Sequence, residues 1–207
     1  MSQLVSCWQA FWCVYILTAI FASNFETVRY HHGYDVVKQL VINAIASLGF
    51  AIFTDRYVPE FMGNGPTTMS IWYQTVASLL IMEIWFYYTH RIAHSKYIFS
   101  RIHRKHHFFT QPYALTGLYC SVTEMIVINV PSVTIGPIIT GMSYSLMTIW
   151  IVMIAVNTAI SHSDIIVPYI NSGTHGIHHQ KHNKNFGLLG ILDRIHGTYE
   201  SMCHVDS

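Results

Sequence analysis

The sequence predicts an all-α integral membrane helical bundle of four to five hydrophobic segments, capped on its cytosolic side by a histidine-rich helical layer. Three observations carry that expectation. Of 207 residues, 52% are hydrophobic and only 10% are charged, where an ordinary soluble domain uses about 25% charged residues. The apolar residues gather into runs close to the roughly 20 residues that cross a bilayer core. Fourteen histidines outnumber the ten acidic residues, and most are grouped. A formal net charge of +1 offers no basic face for a phosphate backbone, so nucleic acid is not an expected partner. Cysteines at 7, 13, 120 and 203 form no Cys-x-x-Cys pair, which argues against a disulfide scaffold or a zinc ribbon. The length suits one unit, 1–207, with no long linker or repeat.

The first hydrophobic segment is 4–22, which lacks a basic leading region and a cleavage site and reads as a retained anchor. The second, 36–53, is interrupted by Lys38, Gln39 and Asn43 and is expected to be tilted or partly inserted. Segment 71–89 carries one acid, Glu83. In 119–140, Pro131, Gly136 and Pro137 predict a bent or re-entrant path. Segment 142–160 has no charge at all. Five of the eleven Lys and Arg residues lie between Arg91 and Lys105, and Lys181, Lys184 and Arg194 follow the last span, so both regions are expected to face the cytosol. The hairpin of the last two segments returns the chain to the side it left, letting the two basic regions meet.

Those regions also hold the histidines. His90 and His94 are four apart, on one helix face. His103, His106 and His107 use offsets of three and four, predicting that all three share one side of a helical segment; His175, His178 and His179 repeat the pattern, and His182 continues it. The eight imidazoles of boxes 90–94, 103–107 and 175–179 exceed what one ion takes and suit two. Imidazole serves several transition metals, so spacing alone leaves the metal open. No cysteine accompanies the boxes, which speaks against a closed structural zinc site. An all-imidazole set leaves metal charge for nearby acids to balance. Glu83, two helical turns before His90, is expected to accept a ring N–H from a ligand, and Glu124, Asp164 and Asp193 are further candidates. His162 stands alone after the last span as another possible ligand. His31, His32, His196 and His204 read as ordinary polar residues, and Trp85, Phe86, Tyr87 and Tyr88 as bundle packing and interfacial belt.

These residues resemble the fatty acid hydroxylase/sterol desaturase superfamily of membrane di-iron enzymes over about residues 70 to 200. Glu83 with Tyr87, Tyr88, His90, Arg91 and His94 is similar to its first motif, and His103 to His107 followed by Pro112 to its second. Glu124 resembles the acid of a His-Pro-x-Glu element, with Ser121 and Val122 in place of the His and Pro. His175 to His179, Asn185-Phe186-Gly187 and Asp193 to Thr198 are similar to the closing signature. Three residues between His90 and His94, where acyl-CoA desaturases have four, argue against that neighbouring family, and Ile166, where fatty acid 2-hydroxylases have a histidine, favours the sterol branch.

The resemblance implies two iron ions held by His90, His94, His103, His106, His107, His162, His175, His178, His179 and His182, with Glu83, Glu124 and Asp193 as catalytic acids. It implies O2 as cosubstrate and hydroxylation, oxidation or desaturation of a membrane lipid, a sterol first and a fatty acyl or alkyl lipid second. It further implies an endoplasmic reticulum membrane. With no cytochrome b5 segment and no nicotinamide or flavin fingerprint, electrons are expected from an external donor, cytochrome b5 and its reductase. Rival classes are a bis-histidine haem protein, which would place paired histidines within the spans, and a metal transporter, which would need polar ligands at mid-span in several helices.

Overall fold

The computed structural model describes residues 3–24, 32–57, 70–167 and 173–201; His31 and His204 lie outside them. Five long helices run alternately toward and away from one end: α1 (Gln3–Ala22), α2 (Gly33–Tyr57), α3 (Ile71–Ala93), α4 (Val122–Thr140) and α5 (Tyr144–Ser161). Two short helices follow, α6 (Thr174–Lys181) and α7 (Ile191–Ile195). Four of these, α1, α2, α4 and α5, are long and apolar enough to cross a membrane. The fifth, α3, is 23 residues long but carries Gln74, Ser78 and Glu83, all buried inside the bundle. No regular β-sheet occurs among the described residues.

Helix α1 packs along α5 and against α2, while α3 packs along α4. The α3–α4 pair approaches to backbone contact at Gly136, where a Cβ would meet the Ser78 Cα at 2.7 Å. That absence of a side chain lets Gln74 Nε2 donate to the carbonyls of Thr140 and Gly141, each at 3.2 Å.

Helix α2 is one unbroken 25-residue helix. Of its interrupting polar residues Lys38 is exposed, while Gln39 and Asn43 are buried and bonded. Asn43 Nδ2 donates to the carbonyls of Leu118 (2.9 Å) and Cys120 (3.1 Å), Gln39 donates to Asn43, and Lys105 Nζ donates to Gln39. Those bonds offset the cost of placing amides in an apolar bundle.

Helix α4 starts at Val122 rather than Tyr119, because the Ser121 hydroxyl caps it by accepting from the Glu124 N–H at 3.1 Å. The helix runs continuously through Pro131, Gly136 and Pro137. A π-type run over Met125–Asn129, closed by Val130 N–H on the Met125 carbonyl, widens the turn just before Pro131, which has no N–H to contribute. The helix stops at Gly141, whose φ of 63° closes it.

At the histidine end, Tyr15 of α1 donates to the carbonyls of Ala114 and Leu115, each at 3.0 Å, and accepts from Leu118 N–H. This ties the 114–118 turn to the bundle. Gly136→Ala should force α3 and α4 apart and lower unfolding stability by about 1–3 kcal/mol. A thermal unfolding midpoint in detergent equal to wild type would contradict the close approach.

Candidate metal centre

Each histidine is delivered by a helix end or a tight turn at one end of the bundle. His90 sits in the last turn of α3 and His94 caps it. His103 closes a π-type run over Phe99–His103, fixed by Arg104 N–H on the Phe99 carbonyl at 2.8 Å. His106 and His107 open a 3-10 turn, His162 caps α5, and His175, His178 and His179 lie on α6.

Nine imidazoles converge in two groups. His90, His94, His103, His107 and His178 form one, and His106, His162, His175 and His179 the other; within each, the ligand nitrogens lie inside 4.8 Å of one another. In the first group Nε2 to Nε2 separations are 3.0 Å for His90–His103 and His103–His107, and 3.1 Å for His94–His178 and His107–His178. In the second they are 2.9 Å for His162–His175, 3.2 Å for His175–His179 and 3.4 Å for His106–His162.

The sequence expectation that each box presents one face is therefore corrected. Box 103–107 sends His103 and His107 to the first group and His106 to the second, and box 175–179 sends His178 to the first and His175 and His179 to the second. Adjacent residues on a helix point about 100° apart, so a His-His pair feeds two neighbouring centres. His162 joins the second group. His182 joins neither; its ring lies 4.4 Å from that of His107, with its backbone at a positive φ of 59°.

The outer nitrogens decide what the inner ones are. His90 Nδ1 donates to the Phe186 carbonyl (2.8 Å), His178 to Lys184 (2.6 Å), His162 to Thr158 (2.8 Å) and His179 to Phe109 (3.1 Å). A carbonyl only accepts, so in each neutral ring the single proton sits on Nδ1 and Nε2 is a bare lone pair. His103 Nδ1 is likewise engaged, by Glu124 Oε1 at 2.9 Å. Lone pairs aimed at one point repel unless a cation sits between them. Adjacent ligands on an octahedral ion with bonds of about 2.1 Å would be about 3 Å apart, close to the separations here, so the residues fit two metal ions.

Burial works in the same direction. Loss of solvent, and then the neighbouring His90 and His182, push His94 down to about 2, and burial holds His162 at about 4 against the opposing pull of the Thr158 carbonyl. The pocket thus keeps the neutral form that ligates.

Of the three predicted acids, only Glu124 touches a histidine. Its Oε2 is buried without a hydrogen-bond partner among the described residues. Glu83 corrects the sequence reading: it takes no ring N–H. Its Oε2 accepts from the N–H groups of Leu188 (2.8 Å) and Leu189 (2.7 Å), and its Oε1 from Ile191 (3.0 Å) and Leu192 (3.1 Å). Seven residues along a helix is about 10 Å, which leaves Glu83 below the imidazoles and beside the free amides that open α7.

Asp193 is also a backbone anchor. It accepts from Phe186 N–H (2.8 Å), Gly187 N–H (2.7 Å) and the Thr198 hydroxyl (2.7 Å). Glu83 and Asp193 together hold the 186–192 turn, and through it the carbonyl that orients His90. Gly187 is required there, since a Cβ would stand 2.7 Å from Glu83 Oε1 and 2.8 Å from Asp193 Oδ2. Asp164 is exposed on the turn after α5. His196 is exposed and packs on Tyr87 and Tyr88, and His32 is exposed beside Asp35, as ordinary polar residues do. The orienting carbonyls of Thr158, Lys184, Phe186 and Phe109 carry no side-chain signal.

Below the histidines a cavity of about 820 Å³ enters the bundle. His103, His106, His162 and Glu124 edge it at one end, and the rest of its wall, drawn from α1 to α5 and the segment after α6, is largely apolar with Ser47, Thr54, Ser132 and Asn157 among its polar members.

A family model described as "Fatty acid hydroxylase" matches residues 75–198, which include all nine converging histidines. The chain belongs to the fatty acid hydroxylase family. Among relatives in that family, fatty acid hydroxylase domain-containing protein 2 of Homo sapiens is 39% identical over 120 residues, 58% of this chain and 36% of its own length. Methylsterol monooxygenase 1 of Rattus norvegicus is 31% identical over 144 residues, covering 63% of this chain and 49% of its own length. Sphinganine C4-monooxygenase 1 of Arabidopsis thaliana is 28% identical over 177 residues, covering 79% and 67%. The chain thus spans little more than a third of the human relative. No solved structure matches it.

Two outcomes follow for this family member. Glu83→Gln removes one acceptor and orphans buried N–H groups, at about 1–3 kcal/mol; an unfolding midpoint unchanged from wild type would contradict the anchoring role. Stripped of metal, the protein should hold its stability above about pH 6.5 and lose it as the pH falls toward 4, because the folded state resists protonating His162. A metal-free unfolding midpoint that is flat or rises between pH 7 and pH 5, in units set by the ordinary histidine range of about 6.5, would contradict this.

Proposed function

We propose that this chain is a membrane oxidoreductase that hydroxylates a lipid, using two iron ions, O2 and electrons from an external donor. The observation that carries the reading is the pair of converging imidazole groups at the mouth of an apolar cavity. Relatives named as monooxygenases of a methylsterol and of sphinganine support it. In such a reaction one oxygen atom enters a C–H bond of the lipid, the other leaves as water, and two electrons and two protons are consumed. Bound iron would supply the O2 chemistry that side chains lack.

The chain's own residues do the rest. His90, His94, His103, His107 and His178 would hold one ion, and His106, His162, His175 and His179 the other. Carbonyls on Nδ1 fix ring orientation and tautomer, a role whose loss typically costs about 10 to 100-fold in metal affinity or activity. Glu124 fixes His103 through Oε1, while its unpartnered Oε2 is placed to hold a proton at the cavity mouth. The apolar wall excludes water and presents the lipid to the histidines without its leaving the bilayer.

A sterol is the preferred substrate, supported by the methylsterol monooxygenase relative. The sphinganine C4-monooxygenase relative supports a straight-chain alternative. Cytochrome b5 with its reductase is the proposed donor, docking on the exposed basic residues Lys96, Arg101, Arg104 and Lys105 beside the histidines. The proposed location is the endoplasmic reticulum membrane with the histidine end in the cytosol, supported by those basic residues.

A lipid profile of cells expressing the chain, set against a His106→Ala control, tests the activity. New hydroxylated lipid only with the wild type is expected; identical profiles would overturn it. For orientation, a glycosylation acceptor introduced beside Lys96 should remain unmodified, and its modification would place the histidines on the wrong side.

A further inference from the structure

The cavity below the histidines is deep as well as apolar. Along α5 its wall runs from His162 to Met147, and along α4 from Glu124 to Ile138. At 1.5 Å per residue both walls give a depth of about 21–22 Å, more than half of a bilayer core of about 30 Å. The charged and histidine side chains of the wall, Glu124, Asp193 and Arg194 among them, all belong to the histidine end.

Leu4 and Cys7 of α1 and Met147 of α5 line the far end, while Met82 of α3 lines the wall about 12 Å below His90. These four are 7%, 2%, 1% and 2% exposed and pack in one apolar cluster with Trp150 and Ile151. The Cys7 thiol lies 3.3 Å from the Thr148 hydroxyl, which ties α1 to α5 at this level. Helices α1 and α5 thus meet at the floor, where Met147 supplies a thioether, the most adaptable way to fill an apolar gap.

A largely apolar cavity with its charged and histidine side chains at one end favours an occupant whose reacting carbon lies at the histidines and whose apolar tail runs toward the floor. We propose that Cys7 and Met147 are specificity-determining residues that measure the length of that tail, which is either a sterol side chain or a single acyl chain. The proposal rests on the lipid-oxidising reading for what happens at the histidine end. What the floor itself determines is which lipid is held.

The test is therefore binding, with turnover recorded separately. Purified full-length chain in detergent is equilibrated with a ladder of saturated fatty alcohols of increasing length and with two sterols, one bearing its side chain and one lacking it. Retained lipid is then quantified by mass spectrometry. Met147→Trp should lower the ratio of long to short tails by about tenfold, the scale on which an apolar pocket discriminates by methylene groups, and Met147→Ala should raise it. Cys7→Leu, a smaller intrusion from α1, should shift the ratio in the same direction as Met147→Trp and serves if the tryptophan variant does not fold. Movement in the sterol pair alone assigns the tail to a sterol, and movement in the alcohol ladder alone to an acyl chain. The same ratios in wild type and every folded variant would overturn the proposal. A moved ratio with no lipid oxidation by wild type would leave the floor standing and remove the oxidation; oxidation with unmoved ratios would do the reverse.

Discussion

Everything at the histidine end depends on a shortage of protons. The nine converging imidazoles are closely packed, and five of them spend their one N–H outward on a carbonyl or on Glu124. Those five rings turn Nε2 lone pairs inward, His90 and His103 with theirs 3.0 Å apart, an arrangement that is repulsive in a pocket without water and becomes attractive around a cation. The fold pre-arranges this rather than letting the metal impose it. Carbonyls of α5, of the turn after α6 and of the segment after His107 are already in place to orient the rings. Because the unfolded chain has no such pocket, ion binding would add directly to folding stability.

The rest of the bundle serves that pocket. Tyr15, Asn43 and the capped start of α4 fix the loop that carries the second histidine box, and Glu83 and Asp193 fix the turn that carries the Phe186 carbonyl. These are buried polar groups with complete sets of partners, which is the condition for keeping them in an apolar interior. Glu124 departs from that condition through its unpartnered Oε2, and it does so at the cavity mouth, where a reacting substrate would sit.

Much of this was legible in the residues themselves. The hydrophobic runs gave the helices to within a few residues, since burial and length are one-dimensional properties. The three boxes pointed to more than one cluster of ligands because eight imidazoles are too many for one ion, and the histidines do converge in two groups. The division of ligands was misread, since a pattern of three and four suggests a shared face, whereas the neighbours His106–His107 and His178–His179 necessarily diverge. Glu83 was placed on the correct helical stripe but too far along it, because the sequence shows the angle around α3 and not the amides of Leu188 to Leu192 that approach from elsewhere in the chain. The unbroken α4 was likewise invisible, since a π-type turn that relieves Pro131 has no signature in composition. The carbonyls on the Nδ1 atoms belong to any residue type, so no inspection of side chains would have found them.

The central claim is that these imidazoles exist to hold two cations. Metal analysis of purified, folded protein, calibrated against its amino-acid content, measures that directly. The lone-pair geometry predicts about two transition-metal ions per chain, one for each histidine group. A reproducible value near zero, in protein whose helical content and cooperative unfolding are intact, would contradict it.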